Sequence, residues 1–488
     1  MVTEYRADWR SLISHNTPQW LRDDKFGIYT HWGAYSVPAC GKNGTWYPYF
    51  MYQKGNPQYE FHVENFGPPS RFGYKDFIPM FTAERFDPDE WAELFARSGA
   101  RFAGPVAEHH DGFAMWDSKL SEWNAAKMGP KQDIVAGLGR AIRNQNLRYM
   151  VALHHAELWY FYPHWEKTYD TSDAKFAGLY GRPHDLQWTD APPEVPKGPF
   201  RFWRMQTRPD RNFHEYWLGK AKEVIDRYSP DLLWLDNGIL FLQEHYLRQL
   251  AAYYYNKALE WGKDVALTYK MHELVPGSAL VDLELGRFEE LTYHEWITDT
   301  SVDDQGAWSY VKDAPLKSTE VLIHNLVENV SKNGYLLLNV GPRPDGTIPT
   351  EVQQRLIGMG KWLEVNGEAI YDTTPWLTFG EGPTKMEKAG PFSERQEVRY
   401  TPRDIRFTCR DRTLYAICLG WPEGSTTIEA CGRLYDGEIE SVSMLGSDER
   451  LAWSLDRTGL KAESPQTRPC EHAYVFKISR KNPFDKQA

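Results

Sequence analysis

The stretch Pro230-Asp231-Leu232-Leu233-Trp234-Leu235-Asp236-Asn237 sets an apolar run directly before a carboxylate. A short apolar run of this kind reads as a strand buried on both faces. Asp236 then stands at the strand's C-terminal tip, where parallel α/β folds collect their reactive groups. Trp234, two residues earlier, projects from the same face. A carboxylate beside an indole in a dry pocket suits attack on an anomeric carbon. An aspartate that merely caps the following turn is the competing reading.

Polar residues close other predicted strands in the same way. His31 ends a first strand, ahead of Trp32-Gly33. His109 and His110 follow a second in Glu108-His109-His110-Asp111-Gly112, and His154, His155 and Glu157 follow a third. Lys270 and His272 come after a fifth, and Glu284 lies in Asp282-Leu283-Glu284-Leu285-Gly286-Arg287. A lone histidine is usually structural, but polar groups recurring at one end of successive strands converge on a single basin in a barrel. Such a basin could hold a metal. The clusters contain no His-x-His strand and no HExxH helix, however, and adjacent His109 and His110 would point to opposite faces if extended. A ring of histidines and tryptophans bonded to sugar hydroxyls is the better account, so no metal is expected. No GxGxxG turn follows a strand, and no cofactor of any kind is expected.

These groups need elements to hold them. Strand candidates are residues 25–31, 101–107, 147–153, 232–235, 265–269, 280–283 and 335–340. Between them lie amphipathic stripes: Trp91/Leu94/Phe95 with Asp87 as N-cap, Pro88 in the first turn and Gly99 as stop; Ile134/Leu138/Ala141/Ile142; Phe213 to Tyr228; Val321 to Val330. Thr350 with Gln353 reads as a capping box opening a helix through Leu363. Strand–helix alternation over roughly 350 residues predicts an α/β fold with a parallel sheet, a (β/α)8-like TIM barrel ahead of a doubly wound open sheet. The aromatic, proline-rich stretch 159–212 lacks periodicity and reads as an ordered lid over the catalytic face. Short alternating runs after Trp376, such as Leu451/Trp453/Leu455 and Tyr474/Phe476/Ile478, predict a C-terminal antiparallel β-sandwich. The expected domains are residues 1–378 and 379–488.

Composition narrows the partners. A net charge of −11 argues against nucleic acid and anionic membranes. The 20 Trp, 28 Tyr and 23 Phe suit the C–H faces of sugars as well as ordinary core. Five cysteines, few and odd in number, match no zinc spacing and argue against a full disulfide framework. The polar N-terminus has no apolar h-region, and no stretch approaches a membrane span. The chain is expected to be soluble, either cytoplasmic or already relieved of a signal peptide, with its oligomeric state open.

Several segments together resemble glycoside hydrolase family 29, the retaining α-L-fucosidases. They are KFGIYTHWGAYSVPA from Lys25, EHHDGFAMWDSKLSEWN from Glu108, PKQDIV from Pro130, YSPDLLWLDN from Tyr228, TDTS from Thr298, LVENVSKNGYLLLNVGPRPDGTIP from Leu326 and GKWLEVNGEAIY from Gly360. The resemblance implies an exo-acting retaining α-L-fucosidase on a barrel-plus-sandwich fold, acting on fucosylated oligosaccharides or glycoconjugates. It implies that Asp236 is the nucleophile and that His31, His109, His110 and Trp234 hold the fucose hydroxyls and C5 methyl. Trp46, His154, Lys270 and Trp296 complete the expected pocket.

The family's motif is weaker at the acid/base. A retaining mechanism needs a second carboxyl ~5 to 5.5 Å from the first. Glu284 at a strand tip is preferred, with Glu295 second; Glu289 and Glu290 read as a solvated pair. Many relatives have Glu-Trp-Tyr where this chain has Thr45-Trp46-Tyr47. That departure, with Glu108 and His154-His155, points to an unusual pocket. It also leaves room for a non-catalytic fucose-binding relative or an enzyme for a related sugar such as α-L-galactose. A metal-assisted hydrolase is a further rival. Linkage preference stays open.

Overall fold

The computed structural model describes residues 4–188, 190, 198, 201–386, 388–395, 398–435 and 437–481. Eight parallel strands close a barrel in sequence order: β1 (Phe26–Thr30), β2 (Phe102–Glu108), β3 (Arg148–Leu153), β4 (Leu232–Leu235), β5 (Ala266–Lys270), β6 (Leu280–Asp282), β7 (Trp296–Ser301) and β8 (Gly334–Val340). β8 returns to β1 with Phe26 opposite Leu336 and Thr30 opposite Val340. β1, β2, β4 and β8 are buried along their whole length. Inward side chains meet inside the barrel and outward ones meet helices, so the runs read as continuous rather than alternating. Tyr29, Met150, Leu232, Trp234, Ala266, Ile297 and Leu337 belong to one buried cluster inside the barrel.

Helices α1 (Pro88–Arg97), α2 (Ile134–Asn144), α3 (Arg211–Tyr228), α4 (Glu244–Trp261), α5 (Thr319–Ser331) and α6 (Thr350–Asn366) cover the outside. α1 starts as expected: Pro88 occupies the first turn and Asp87 Oδ1 accepts from the amides of Asp89 and Glu90. α6 begins at the expected residue by another route. Its cap is Pro349, and Gln353 donates to the Ile348 carbonyl, so the capping box is not formed. α4 and β7 are absent from the sequence-based assignment. Four tyrosines and one tryptophan blur the stripe of α4. β7 reads Trp-Ile-Thr-Asp-Thr-Ser, too polar for a buried strand, because it carries site residues inward.

Among the described residues no helix lies between β5 and β6 or between β6 and β7. The barrel's outer wall is open there, and a cavity of about 1030 Å³ sits against it, lined by Arg22, Tyr269, Val281, Leu283 and Glu295 among others. No described helix is long and apolar enough to cross a membrane. The stretch 159–212 holds short helical turns at Leu158–Phe161, Asp170–Ser172, Ala177–Tyr180 and Arg201–Met205. Residues 189, 191–197, 199 and 200 of the expected lid lie outside the described residues.

The C-terminal domain is a pair of antiparallel sheets. One contains β9 (Thr374–Glu381), β10 (Ile405–Arg410), β11 (Thr413–Cys418), β13 (Ile439–Met444) and β16 (Tyr474–Arg480) in the order β13-β16-β11-β10-β9. The other contains β12 (Ser425–Ile428), β14 (Trp453–Asp456) and β15 (Gly459–Glu463) in the order β12-β15-β14. Phe407, Ala416 and Phe476 of the first meet Ile428, Leu460 and Ala462 of the second in one core. The expected boundary at 378/379 cuts through β9, whose pairing with β10 assigns it to this domain. Sequence composition shifts only at the Gly/Pro-rich stretch that follows β9, which misplaced the boundary.

A buried ion group ties the two domains. Glu328 on α5 takes Arg406 of β10 at 2.5 Å and Lys332 at 2.6 Å. Burial opposes its ionisation, but Arg406 and Lys332 prevail and hold Glu328 down at about 2. The folded value lies below the ordinary one of about 4.5. This contribution is therefore full above pH 4.5 and is lost as pH falls through 2. Denaturant titrations between pH 5 and 2 should show stability falling in that window, with a flatter slope for Glu328→Gln. Arg406→Met should cost about 3 kcal/mol at pH 7, because it strands a buried carboxylate.

Candidate active site

Residues at the C-terminal ends of the strands line a cavity of about 450 Å³, including Tyr29, His31, Thr45, Trp46, His109, His110, His154, Glu157, Asp236, Glu273, Glu284, Asp299 and Trp308. Asp236 follows β4 directly, and its amide donates to the Leu153 carbonyl at 3.3 Å, continuing the β3–β4 pairing past the strand end. The chain then turns at Gly238, where φ is +103°. A Cβ there would lie 2.3 Å from Glu157 Cγ, so only glycine lets this turn close over the pocket wall.

Lys270, the last residue of β5, organises the floor. Its Nζ lies 3.5 Å from Asp236 Oδ1, 3.5 Å from Glu284 Oε2, 2.5 Å from Asp282 Oδ2 and 3.0 Å from Asp299 Oδ2. Burial disfavours its charge, but these four carboxyls together hold the ammonium well above the usual lysine range. One cation in contact with both carboxyls means that Asp236 Oδ1 and Glu284 Oε2 are no more than 7 Å apart. Lys270→Met should shift both limbs of the pH–rate profile to higher pH, since Lys270 lowers both carboxyls. It should also lower unfolding stability by about 3 kcal/mol at neutral pH.

The two carboxyls are driven to opposite states. Burial works against ionisation of Asp236, but His154, with Nδ1 3.0 Å from Oδ2, and Lys270 outweigh it and hold Asp236 well below the usual carboxylate range. Burial pushes Glu284 up to about 7; Lys270 pulls it down, while Asp299 and Asp236 push it further up. Asn237 Nδ2 donates to Glu284 Oε2 at 2.9 Å and aims the carboxyl. Below about 7 Asp236 is ionised while Glu284 retains its proton. A nucleophile and a general acid require that division.

Burial holds His31, His109 and His110 below the usual histidine range, and the tautomers of His31 and His110 follow from their partners. Asn339 Nδ2 donates to Ser301 Oγ at 2.9 Å and to the Trp308 carbonyl at 2.6 Å, so its Oδ1 accepts from the His31 amide at 3.0 Å and from His31 Nδ1 at 2.8 Å. His31 Nε2 is left as an acceptor at the pocket. His110 Nδ1 donates to the His154 carbonyl at 2.7 Å, and its Nε2 lies 3.2 Å from Glu157 Oε2 and 3.6 Å from Asp236 Oδ2. Burial pushes His110 down to about 4 and holds Glu157 well above the usual carboxyl range. The His110–Glu157 pair is therefore neutral, with its proton on Glu157. Burial also raises Glu273, to about 8; its Oε1 accepts from the Gly238 amide at 3.0 Å.

Most of the expected site residues come together here: Asp236, Glu284, His31, Trp46, His109, His110 and His154 line one cavity, with Lys270 beneath the carboxyls. The ring of Trp46 meets His110 edge-on at 5.3 Å. Three expectations need correction. Glu295 precedes β7 and so lies at the opposite end of the barrel, where it pairs with Arg22 at 2.6 Å and lines the outer cavity. Trp296, the first residue of β7, is fully buried at that same end and donates to the Lys332 carbonyl. Trp234 faces inward as Asp236 does but one layer deeper. Its fully buried ring sits beneath the pocket, with Lys270 Nζ 5.3 Å from its centroid.

Glu108 and His155 face away from the pocket. Glu108 forms a buried pair with Lys220 at 2.5 Å, and His155 Nε2 meets the Trp217 carbonyl. Sequence reasoning placed Glu157 in the basin without a role of its own and assigned none to Glu273, Asp299 or Asn339. Asn339 inside Leu336-Leu337-Leu338-Asn339-Val340 was the available signal, a polar residue in an apolar strand. Two buried groups, His31/His109/His154 and His110/His154/Asp236, bring possible ligand atoms within 4.8 Å of one another. Spacing along the chain could not reveal this, because each group draws on different strands.

A family model described as Alpha-L-fucosidase matches residues 2–368, and one described as Alpha-L-fucosidase C-terminal domain matches residues 395–479. The tissue alpha-L-fucosidase of Bos taurus is 33% identical over 500 residues, covering 97% of this chain and 91% of that protein. The tissue alpha-L-fucosidase of Homo sapiens is 31% identical, covering 97% and 92%. The crystal structure of Thermotoga maritima alpha-fucosidase in complex with a mechanism-based inhibitor matches with a TM-score of 0.76 at 29% identity, covering 98% of this chain and 100% of that one.

Proposed function

Because the chain belongs to the alpha-L-fucosidase family along both of its domains, we propose that it releases terminal α-L-fucose with retention of configuration, through a covalent fucosyl–Asp236 intermediate. The observation that carries this reading is the Lys270 bridge: one ammonium touches an ionised Asp236 and a protonated Glu284, their oxygens no more than 7 Å apart. Retaining pairs stand ~5 to 5.5 Å apart and inverting pairs ~6.5 to 9.5 Å, so the bound favours retention.

In the first step an Asp236 oxygen bonds to the anomeric carbon as the bond to the leaving oxygen breaks. Glu284 gives its proton to that oxygen. In the second, Glu284 takes a proton from water, whose oxygen attacks the anomeric carbon and releases Asp236. His31 Nε2 accepts from a sugar hydroxyl, and the neutral Glu157–His110 pair offers further polar contacts. The buried surroundings strengthen each of these interactions. No metal takes part, and prolonged incubation with a strong chelator should leave turnover unchanged.

The test is trapping with a 2-deoxy-2-fluoro-fucosyl fluoride, followed by mass spectrometry of peptides. The expected result is one fluorofucosyl adduct on Asp236, with α-L-fucose as the first product seen by NMR during normal turnover. An adduct elsewhere, or β-L-fucose as first product, overturns the mechanism.

A further inference from the structure

The mouth of the pocket is apolar where its floor is charged. Phe392 and Leu240 line the cavity yet are 45% and 60% exposed. Phe241 and Trp203 stand beside them, their ring centroids 6.2 Å apart and nearly perpendicular. Large apolar side chains gathered on the rim of a polar cup mark a surface that a ligand covers.

Phe392 reaches the rim from the C-terminal side of the chain. Gly390 donates to the Arg287 carbonyl, Phe392 to the Glu284 carbonyl and Glu394 to the Leu285 carbonyl, each at 2.8 Å. Arg287 in turn donates to Ser393 Oγ at 3.2 Å. Residues 390–394 are thus zipped along the loop that carries the acid, and Phe392 is in register with Glu284 itself. Beyond Phe392 the segment is anchored by Glu394, which accepts from Thr300 Oγ1 and Asn325 Nδ2 at 2.8 Å and pairs with Lys317 at 3.1 Å.

A leaving oxygen must come within hydrogen-bond reach of the Glu284 carboxyl. Whatever that oxygen carries then lies on the Glu284 side of the mouth, against the residue bonded to the Glu284 backbone. We propose that Phe392, with Leu240, forms a leaving-group subsite for an aglycone with an apolar face, either the C–H face of a pyranose or an aryl ring. This rests on the retaining mechanism above and adds to it the class of leaving group. A ring laid on Phe392 gains contact area and is held with its oxygen at the acid.

The experiment compares Phe392→Ala, Phe392→Leu and Leu240→Ala with wild type on 4-nitrophenyl α-L-fucoside, a fucosylated disaccharide and α-L-fucosyl fluoride, whose leaving group has no face to hold. For Phe392→Ala, kcat/KM on the first two should fall ~10-fold, and the loss on the fluoride should be at least five times smaller. Phe392→Leu should lose less than Phe392→Ala, and Leu240→Ala should show the same substrate ordering in weaker form. Equal losses on all three substrates, or none on any, overturn the subsite; equal losses would make Phe392 only a support for the acid loop. A wild-type protein that cleaves none of the three overturns the mechanism and the subsite together.

Discussion

Asp236→Gly is expected to reduce kcat on an aryl α-L-fucoside by ~10⁴-fold or more while leaving the fold intact. Asp236 is the carboxyl that His154 and Lys270 hold ionised at the C-terminal tip of β4. Burial keeps Glu157 and Glu273 protonated at neutral pH, and Glu284 is protonated below about 7. The glycine removes one of four carboxyls around Lys270 and opens space beside the anomeric carbon. Azide added to the variant should occupy that space, restore turnover on an activated substrate and give fucosyl azide of inverted configuration. Activity within tenfold of wild type would sink the assignment. So would an inactive variant whose cooperative thermal unfolding has been lost, because the failure would then be structural.

Glu284→Gln is expected to lower kcat/KM by ~10²- to 10⁴-fold on substrates with poor leaving groups, and by much less on 2,4-dinitrophenyl fucoside, which leaves without a proton. The pH profile separates this role from a structural one. Glu284 must be protonated to act as acid and sits at about 7. Wild-type kcat/KM should therefore be full below that value and fall as pH rises through it. In the variant that alkaline limb should vanish. Azide should again restore turnover, this time with retained configuration, because Asp236 still forms the intermediate. An unchanged alkaline limb in the Gln variant would show that another group supplies the proton.

Much of the fold was legible because helices and buried strands leave one-dimensional marks. The stop at Gly99, the cap at Asp87 and the apolar run before Asp236 are local statements that tertiary structure did not overrule. β7 escaped because its inward positions hold the Asp299 carboxylate and the Ser301 hydroxyl, and its outward ones the Thr298 and Thr300 hydroxyls, which together erase the apolar signal. The site residues that were missed share one trait: their chemistry depends on neighbours distant in sequence. Lys270, which the chain alone offers only as a further pocket contact, becomes a hub between carboxyls when β4, β6 and β7 close around it. Glu295 and Trp296 failed for a simpler reason. They open a strand instead of closing one, and in a barrel that end faces away from the reaction.

The zipper between residues 284–287 and 390–394 bears on how this enzyme can vary over time. Amide-to-carbonyl pairs place little demand on side chains, so apart from Phe392 and the side-chain anchors Ser393 and Glu394 the letters around Glu284 can drift while Glu284 keeps its place. Gly286 is where that freedom stops, since a Cβ there would meet the Gly390 carbonyl oxygen at 2.6 Å. Lineages of this fold should therefore agree on the acid's location in space far better than on the text around it. The proton donor of a distant cousin is better sought by superposing backbones than by aligning words.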